Sequence, residues 1–154
     1  MSTLNALTVA VEVASRKRDE ARRLLQDAQG AQHAAQDQLN QLQGYARETE
    51  GRWGMRADAA VQPEVMFHHY QFMDRLGHAV GLQTGVVSDH ASRVQDATRT
   101  LLEAELRLAS LRKVVEKRQQ DHERQQMRRE QKQTDERASI QVRNAINGPP
   151  GQEY

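Results

Sequence analysis

The chain of 154 residues carries 22 Lys and Arg against 21 Asp and Glu, a formal net charge of +1, so no strong field argues for a nucleic-acid partner. Aromatics are 4% and charged residues 28%, with 19 Ala and 19 Gln, which excludes a globule with a thick core and favours long helices or a coiled coil. The absence of Cys excludes a disulfide framework, a thiolate zinc site and a cysteine nucleophile, and fits a reducing compartment.

No apolar run approaches the roughly 18 residues that a spanning helix needs. The amino-terminal stretch MSTLNALTVAVEVASRKR has its charges after its apolar part, the reverse of a secretory signal. Prolines occur only at Pro63, Pro149 and Pro150, so 1–62 and 64–148 are free of the strongest helix breaker.

The first predicted helix spans about 3–54. With Leu4 at position a of a heptad, its a and d positions are Leu4, Leu7, Val11, Ala14, Arg18, Ala21, Leu25, Ala28, Gln32, Ala35, Leu39, Leu42, Ala46, Thr49 and Trp53. Twelve of these fifteen are apolar without a register slip, which marks a coiled-coil seam. A turn at about 55–63 follows Gly54, and Pro63 suits the first turn of a new helix.

The second predicted helix spans about 64–147. With Met66 at a, its seam reads Met66, His69, Met73, Leu76, Val80, Gln83, Val87, His90, Val94, Ala97, Leu101, Ala104, Leu108, Leu111, Val115 and Arg118. Twelve of sixteen are apolar, so the two seams match in length and can close on each other. The predicted fold class is all-α: an antiparallel two-helix coiled-coil hairpin with a charged C-terminal helical extension. It forms a single domain over 1–148 with a flexible tail at 149–154. A parallel homodimer of long helices is the alternative architecture.

Facing residues in the hairpin carry numbers summing to about 117 or 118, which sets Leu42 level with Leu76 and Leu4 near Val115. Gly77, Gly81 and Gly85 each cost up to about 1 kcal/mol against Ala in a helix and soften the second helix near its start.

In an antiparallel pair g positions face g and e positions face e. The e flank is mostly polar. The g flank is more apolar toward the turn, where Tyr45 falls level with Phe72 and Gln38 with Ala79, above Leu42 and Leu76. Five of the six aromatics lie between Tyr45 and Phe72. Exposed aromatics beside a thin seam mark a partner surface, or cap the turn as a small local core. Trp53, at an a position, is assigned to such a cap.

Past Arg118 the apolar stripe ends. From Arg112 to Arg143 there are ten basic and six acidic residues, an arm with no partner within the chain that can order against a more acidic surface. No Walker loop, GxSxG or HExxH occurs, and His68 and His69, being adjacent, point to different helix faces. No enzyme activity, cofactor or metal is expected.

The segments LNQLQGYARETEGRW before the turn, FMDRL after it and EQKQTDERA at 130–138, with Leu4 and Leu7 opening the first helix, resemble the flagellar export protein family FliJ over roughly residues 3–140. The resemblance implies a cytoplasmic coiled-coil hairpin, monomeric in isolation and peripheral at the inner membrane, that neither enters the bilayer nor binds nucleic acid. Its open end meets the hexameric export ATPase, here through Leu4, Leu7, Val11, Arg112, Lys113, Lys117 and Arg118. A surface nearer the turn binds the cytoplasmic domain of the export-gate membrane protein, and the protein escorts export chaperones. The family's gate-binding residues match at Gln38, Leu42, Tyr45, Phe72, Leu76 and Ala79, while Thr49 and Gln83 depart. The stalk of a virulence-type secretion system has the same architecture and is the alternative assignment.

Overall fold

The computed structural model describes residues 2–56 and 62–148, which form two helices, α1 (Ser2–Arg56) and α2 (Pro63–Ile146), of 55 and 84 residues. Both ends of each lie within two residues of the positions expected from the heptads. Most of the expected turn, 57–61, and the tail at 149–154 lie outside the described residues.

Pro63 is the first residue of α2, where its missing N–H leaves no helix bond unmade. The Gln62 carbonyl accepts from the amides of Val65 at 3.1 Å and Met66 at 3.2 Å, which closes the first turn. Glu64 places a carboxylate at the positive end of the helix dipole. At the other end the Asn147 amide donates to the Arg143 carbonyl at 2.7 Å before Gly148 and the two prolines.

The helices pack as an antiparallel hairpin, and the chain divides into two compact units. The turn unit is Ala14–Arg107; the terminal unit combines Met1–Val13 with Leu108–Tyr154.

In the turn unit every seam residue from Ala14 to Trp53 and from Met66 to Ala104 is buried or half-buried. The buried ones are Ala14, Ala21, Ala35, Leu39 and Leu76, so small residues set a close interhelical approach. Arg18 occupies an a position by laying its stem in the seam and turning its head outward. Its Nε donates to Asp19 at 2.8 Å and its Nη2 reaches Ser15 at 3.4 Å. Gln83 solves the same problem differently: its Nε2 donates to the Ala35 carbonyl at 2.9 Å and to Gln38 Oε1 at 3.2 Å.

In the terminal unit Leu108 is 2% exposed, and Leu4, Leu7, Val11, Leu111 and Val115 are half-buried. Arg118, expected in the seam, is exposed, as is every residue from Glu116 to Gly148. From Glu116 onward α2 is a solvated helix, as the loss of the apolar stripe requires.

The register departs from expectation at both ends of the seam. In the turn unit Trp53 stacks on His69, about one turn further along α2 than expected. In the terminal unit Leu4 shares a surface depression with Arg118 and His122 rather than lying level with Val115. Both pairs join an a residue of α1 to a d residue of α2. The expected register paired like with like, as flanking g residues do. Seam residues in an antiparallel pair instead share a layer a with d.

Candidate interaction surfaces

The turn unit carries one composite patch. Gln38, Leu42 and Tyr45 follow one another at helical spacings of four and three on α1, and Phe72, Leu76 and Ala79 repeat those spacings on α2, so each trio shares one side of its helix. The Tyr45 and Phe72 rings meet edge to face, with centroids 6.1 Å apart and planes at 85°. Tyr45 is 51% exposed and Phe72 41%, so the pair stands outside the seam and remains available to a partner. Leu76 is buried beneath them; Leu42 and Ala79 are half-buried, and Gln38 is exposed.

The patch has a polar margin. Gln38, Gln41, Leu42, Tyr45 and Gln83 surround one shallow depression. The bond from Gln83 holds the Gln38 side chain there, so the Gln83 amide belongs to the seam and to the patch edge together. The sequence offers Gln83 as an interruption of the heptads and as a departure from the family's gate-binding residues. Its partner was not legible, because a Gln at d can equally turn outward.

Trp53 and His69 stack with centroids 4.0 Å apart and planes at 24°, and both are half-buried. This is the local core expected of Trp53, and it consumes the one seam histidine near the turn. Phe67 and Tyr70 are 60% and 64% exposed. They hold b and e positions, across the helix from Phe72 at g, and are not part of the patch.

The terminal unit divides the remaining predicted residues into two kinds. Leu4, Leu7 and Val11 are half-buried and face α2, so they hold the hairpin together. Arg112, Lys113, Lys117 and Arg118 are exposed. Among the described residues no group of three or more His, Cys, Asp or Glu converges to hold a metal, and no helix is long and apolar enough to cross a membrane. What these surfaces offer is apolar, aromatic and cationic contact.

A family model described as Flagellar FliJ protein matches residues 3–147. No curated protein matches the chain. Among solved structures, a YscO homologue, CT670, from Chlamydia trachomatis is similar with a TM-score of 0.71 at 17% identity, covering 97% of this chain and 96% of that one. At that identity the likeness establishes a shared fold.

Proposed function

The chain belongs to the FliJ family, and from that premise we propose that it is the coiled-coil stalk of the flagellar type III export apparatus. In this reading it links the export ATPase hexamer to the export gate and escorts export chaperones. It is a cytoplasmic monomer in isolation and acts at the cytoplasmic face of the inner membrane by contact alone, without catalysis or cofactor.

The observation that carries the reading is the Tyr45–Phe72 pair. Two different helices each bring one aromatic ring to the same place and leave both about half exposed. A monomer gains little from such an arrangement, whereas a partner gains two rigid anchors with low entropy cost. The gate's cytoplasmic domain is the partner assigned to this patch. The ATPase is assigned to the terminal unit, with its cluster of exposed cations.

Tyr45→Ala and Phe72→Ala test the assignment. Both residues stand at g, so removing either ring leaves the seam filled and the melting transition close to the parent's. Loss of an aromatic anchor costs about 2 kcal/mol or more, so each variant binds the gate domain roughly thirtyfold more weakly. Parental melting together with parental gate affinity in both variants removes the patch from the gate reading.

The virulence-type stalk shares the fold and the same kind of patch, and the fold likeness to the YscO homologue keeps it the second reading. The genes adjoining this one separate the two systems.

A further inference from the structure

The terminal unit has two unlike flanks. On the g and c positions of α1 stand Ala6, Ala10 and Val13, with Val9 beside them, and Val114 holds a g position of α2. Val9, Val13 and Val114 are 57%, 44% and 43% exposed. The first turns of α1 are therefore apolar on the side away from the seam as well as along it. A helix apolar on both sides is one whose outer side is meant to be covered.

The same g and c flank continues along α2 as a basic stripe. Lys113, Lys117, Arg124 and Arg128 fall within about a third of the helix circumference, and all are exposed. Asp121 and Asp135 interrupt the stripe. The opposite flank, at b positions, is acidic as far as Glu130: Glu12 on α1, then Glu116, Glu123 and Glu130 at seven-residue intervals on α2, with Arg112 at a neighbouring e and Arg137 at the next b. The modest net charge of the segment thus conceals a separation of sign across the helix.

We infer that the g and c flank of the terminal unit is the face that docks on a protein surface with an apolar centre and a carboxylate border, and that the b flank stays in solvent. The inference rests on the reading that this unit binds the export ATPase, and it names the contacting side. Charge complementarity decides the partner's chemistry. An acidic border attracts the stripe of Lys113, Lys117, Arg124 and Arg128 and repels the glutamate flank, which fixes the rotation of the hairpin about its axis.

A nucleic acid offers the anions but nothing for Ala6, Val9 and Val13, and no aromatic stands among the cations for a base to stack on. A bilayer surface is disfavoured because the apolar flank is Ala and Val without Trp, Phe or Leu, and residues 2–15 of α1 carry no cation. The half-buried Leu4, Leu7 and Val11 then support the docking face from beneath instead of touching the partner.

The test uses the full chain and the purified export ATPase. Val9→Gln with Val13→Gln changes two exposed helix positions to a residue of higher helix propensity, so the hairpin melts like the parent. This variant should bind the ATPase about tenfold or more weakly. Arg124→Glu with Arg128→Glu should lower affinity at low ionic strength and flatten its salt dependence. Glu116→Lys with Glu123→Lys should bind as tightly as the parent or more tightly.

Parental affinity in both g and c flank variants, with the parent binding, overturns the inference and leaves the ATPase reading standing; loss confined to the glutamate variant does the same. A parent that does not bind the ATPase overturns both. Sedimentation and flotation test the other occupants. A concentration-dependent dimer abolished by Val9→Gln with Val13→Gln assigns the flank to a second copy. Flotation with phosphatidylserine vesicles abolished by the same change assigns it to a lipid surface. Either result overturns the inference.

Discussion

Within α2, residues 66–104 and residues 119–146 are equally regular in backbone and are held in opposite ways. The first stretch buries or half-buries a residue at every a and d position against α1. The second has no buried or half-buried residue at all. Its helical state rests on residue preference, on the many Gln, Arg, Glu and Lys, and on opposite charges at helical spacing such as Asp121 and Arg124 or Lys132 and Glu136 along its surface. Packing stabilises a helix cooperatively, while propensity stabilises it one residue at a time, so the second stretch should fray more readily than the first.

The widest separation between the two stretches comes from deleting one large side chain in the seam. Leu39 on α1 is 6% exposed, and its replacement by Ala leaves a gap that a two-helix seam cannot refill from a second layer. Leu39→Ala should lower stability by about 2–3 kcal/mol, toward the low end for buried Leu because only one stripe is buried. Met127→Ala, at a site 68% exposed in the second stretch, should leave the melt unchanged. Thermal unfolding followed by circular dichroism reads both. Equal effects at the two sites would mean that the second stretch is packed after all.

Hydrogen exchange sharpens the same contrast without mutation. Amides in 70–104 should exchange only through opening of the hairpin, whereas those in 119–146 exchange through local fraying. The two groups should differ by one or more orders of magnitude in protection. Adding the ATPase should protect the second group selectively, in keeping with docking by the terminal unit.

A smaller and opposite effect is expected at the glycines. Gly77, Gly81 and Gly85 lie inside α2 at e, b and f positions, and a Cβ built at each meets nothing within 4 Å. Each replacement by Ala should therefore raise stability by up to about 1 kcal/mol, through helix propensity and a less flexible unfolded chain. A triple variant that melts above the parent identifies the glycines as a built-in softness of the first stretch. One that melts below it would show contacts on that face.

The seam was legible in the sequence almost residue for residue because a heptad is a geometric instruction. Leu4 through Trp53 and Met66 through Val115 all turn inward as the period requires, and the meeting of Tyr45 with Phe72 followed from their shared g positions. The layer register was less legible. Flank pairs and seam pairs obey different offsets, and the stack of Trp53 on His69 and the meeting of Leu4 with Arg118 show which applies within the seam. Arg118 holds a d position by the period and yet is exposed, because it lies one position beyond the last apolar seam residue, Val115. The partner of the Gln83 amide was hidden because it is a main-chain carbonyl, and any residue at position 35 supplies one. The division of the terminal unit into an apolar and basic flank and an acidic one was present in the sequence. It became visible once Leu4, Leu7 and Val11 were seen to face α2, which left Val9 and Val13 as the exposed apolar residues there.

Gln83 supports the finest prediction, one in which stability and register part company. Its amide donates to the Ala35 carbonyl and to Gln38 Oε1, and both acceptors keep other partners or solvent when it is lost. Gln83→Leu replaces those bonds with apolar contact in a half-buried layer, so the melt should move by no more than about 1 kcal/mol in either direction. A seam rich in alanine has little else to resist sliding, and a polar group with a directional bond is what distinguishes one register from its neighbour a heptad away. The chain contains no Cys, so spin labels attach only where cysteines are introduced. Labels at Asp37 and Gly85, both exposed and on outer faces of their helices, report the offset within the turn unit. In the parent their distance distribution should be single and narrow, and in Gln83→Leu it should broaden or gain a second population. An unchanged narrow distribution would assign the register to Trp53, His69 and the aromatic pair, and leave Gln83 as a filler of the patch margin.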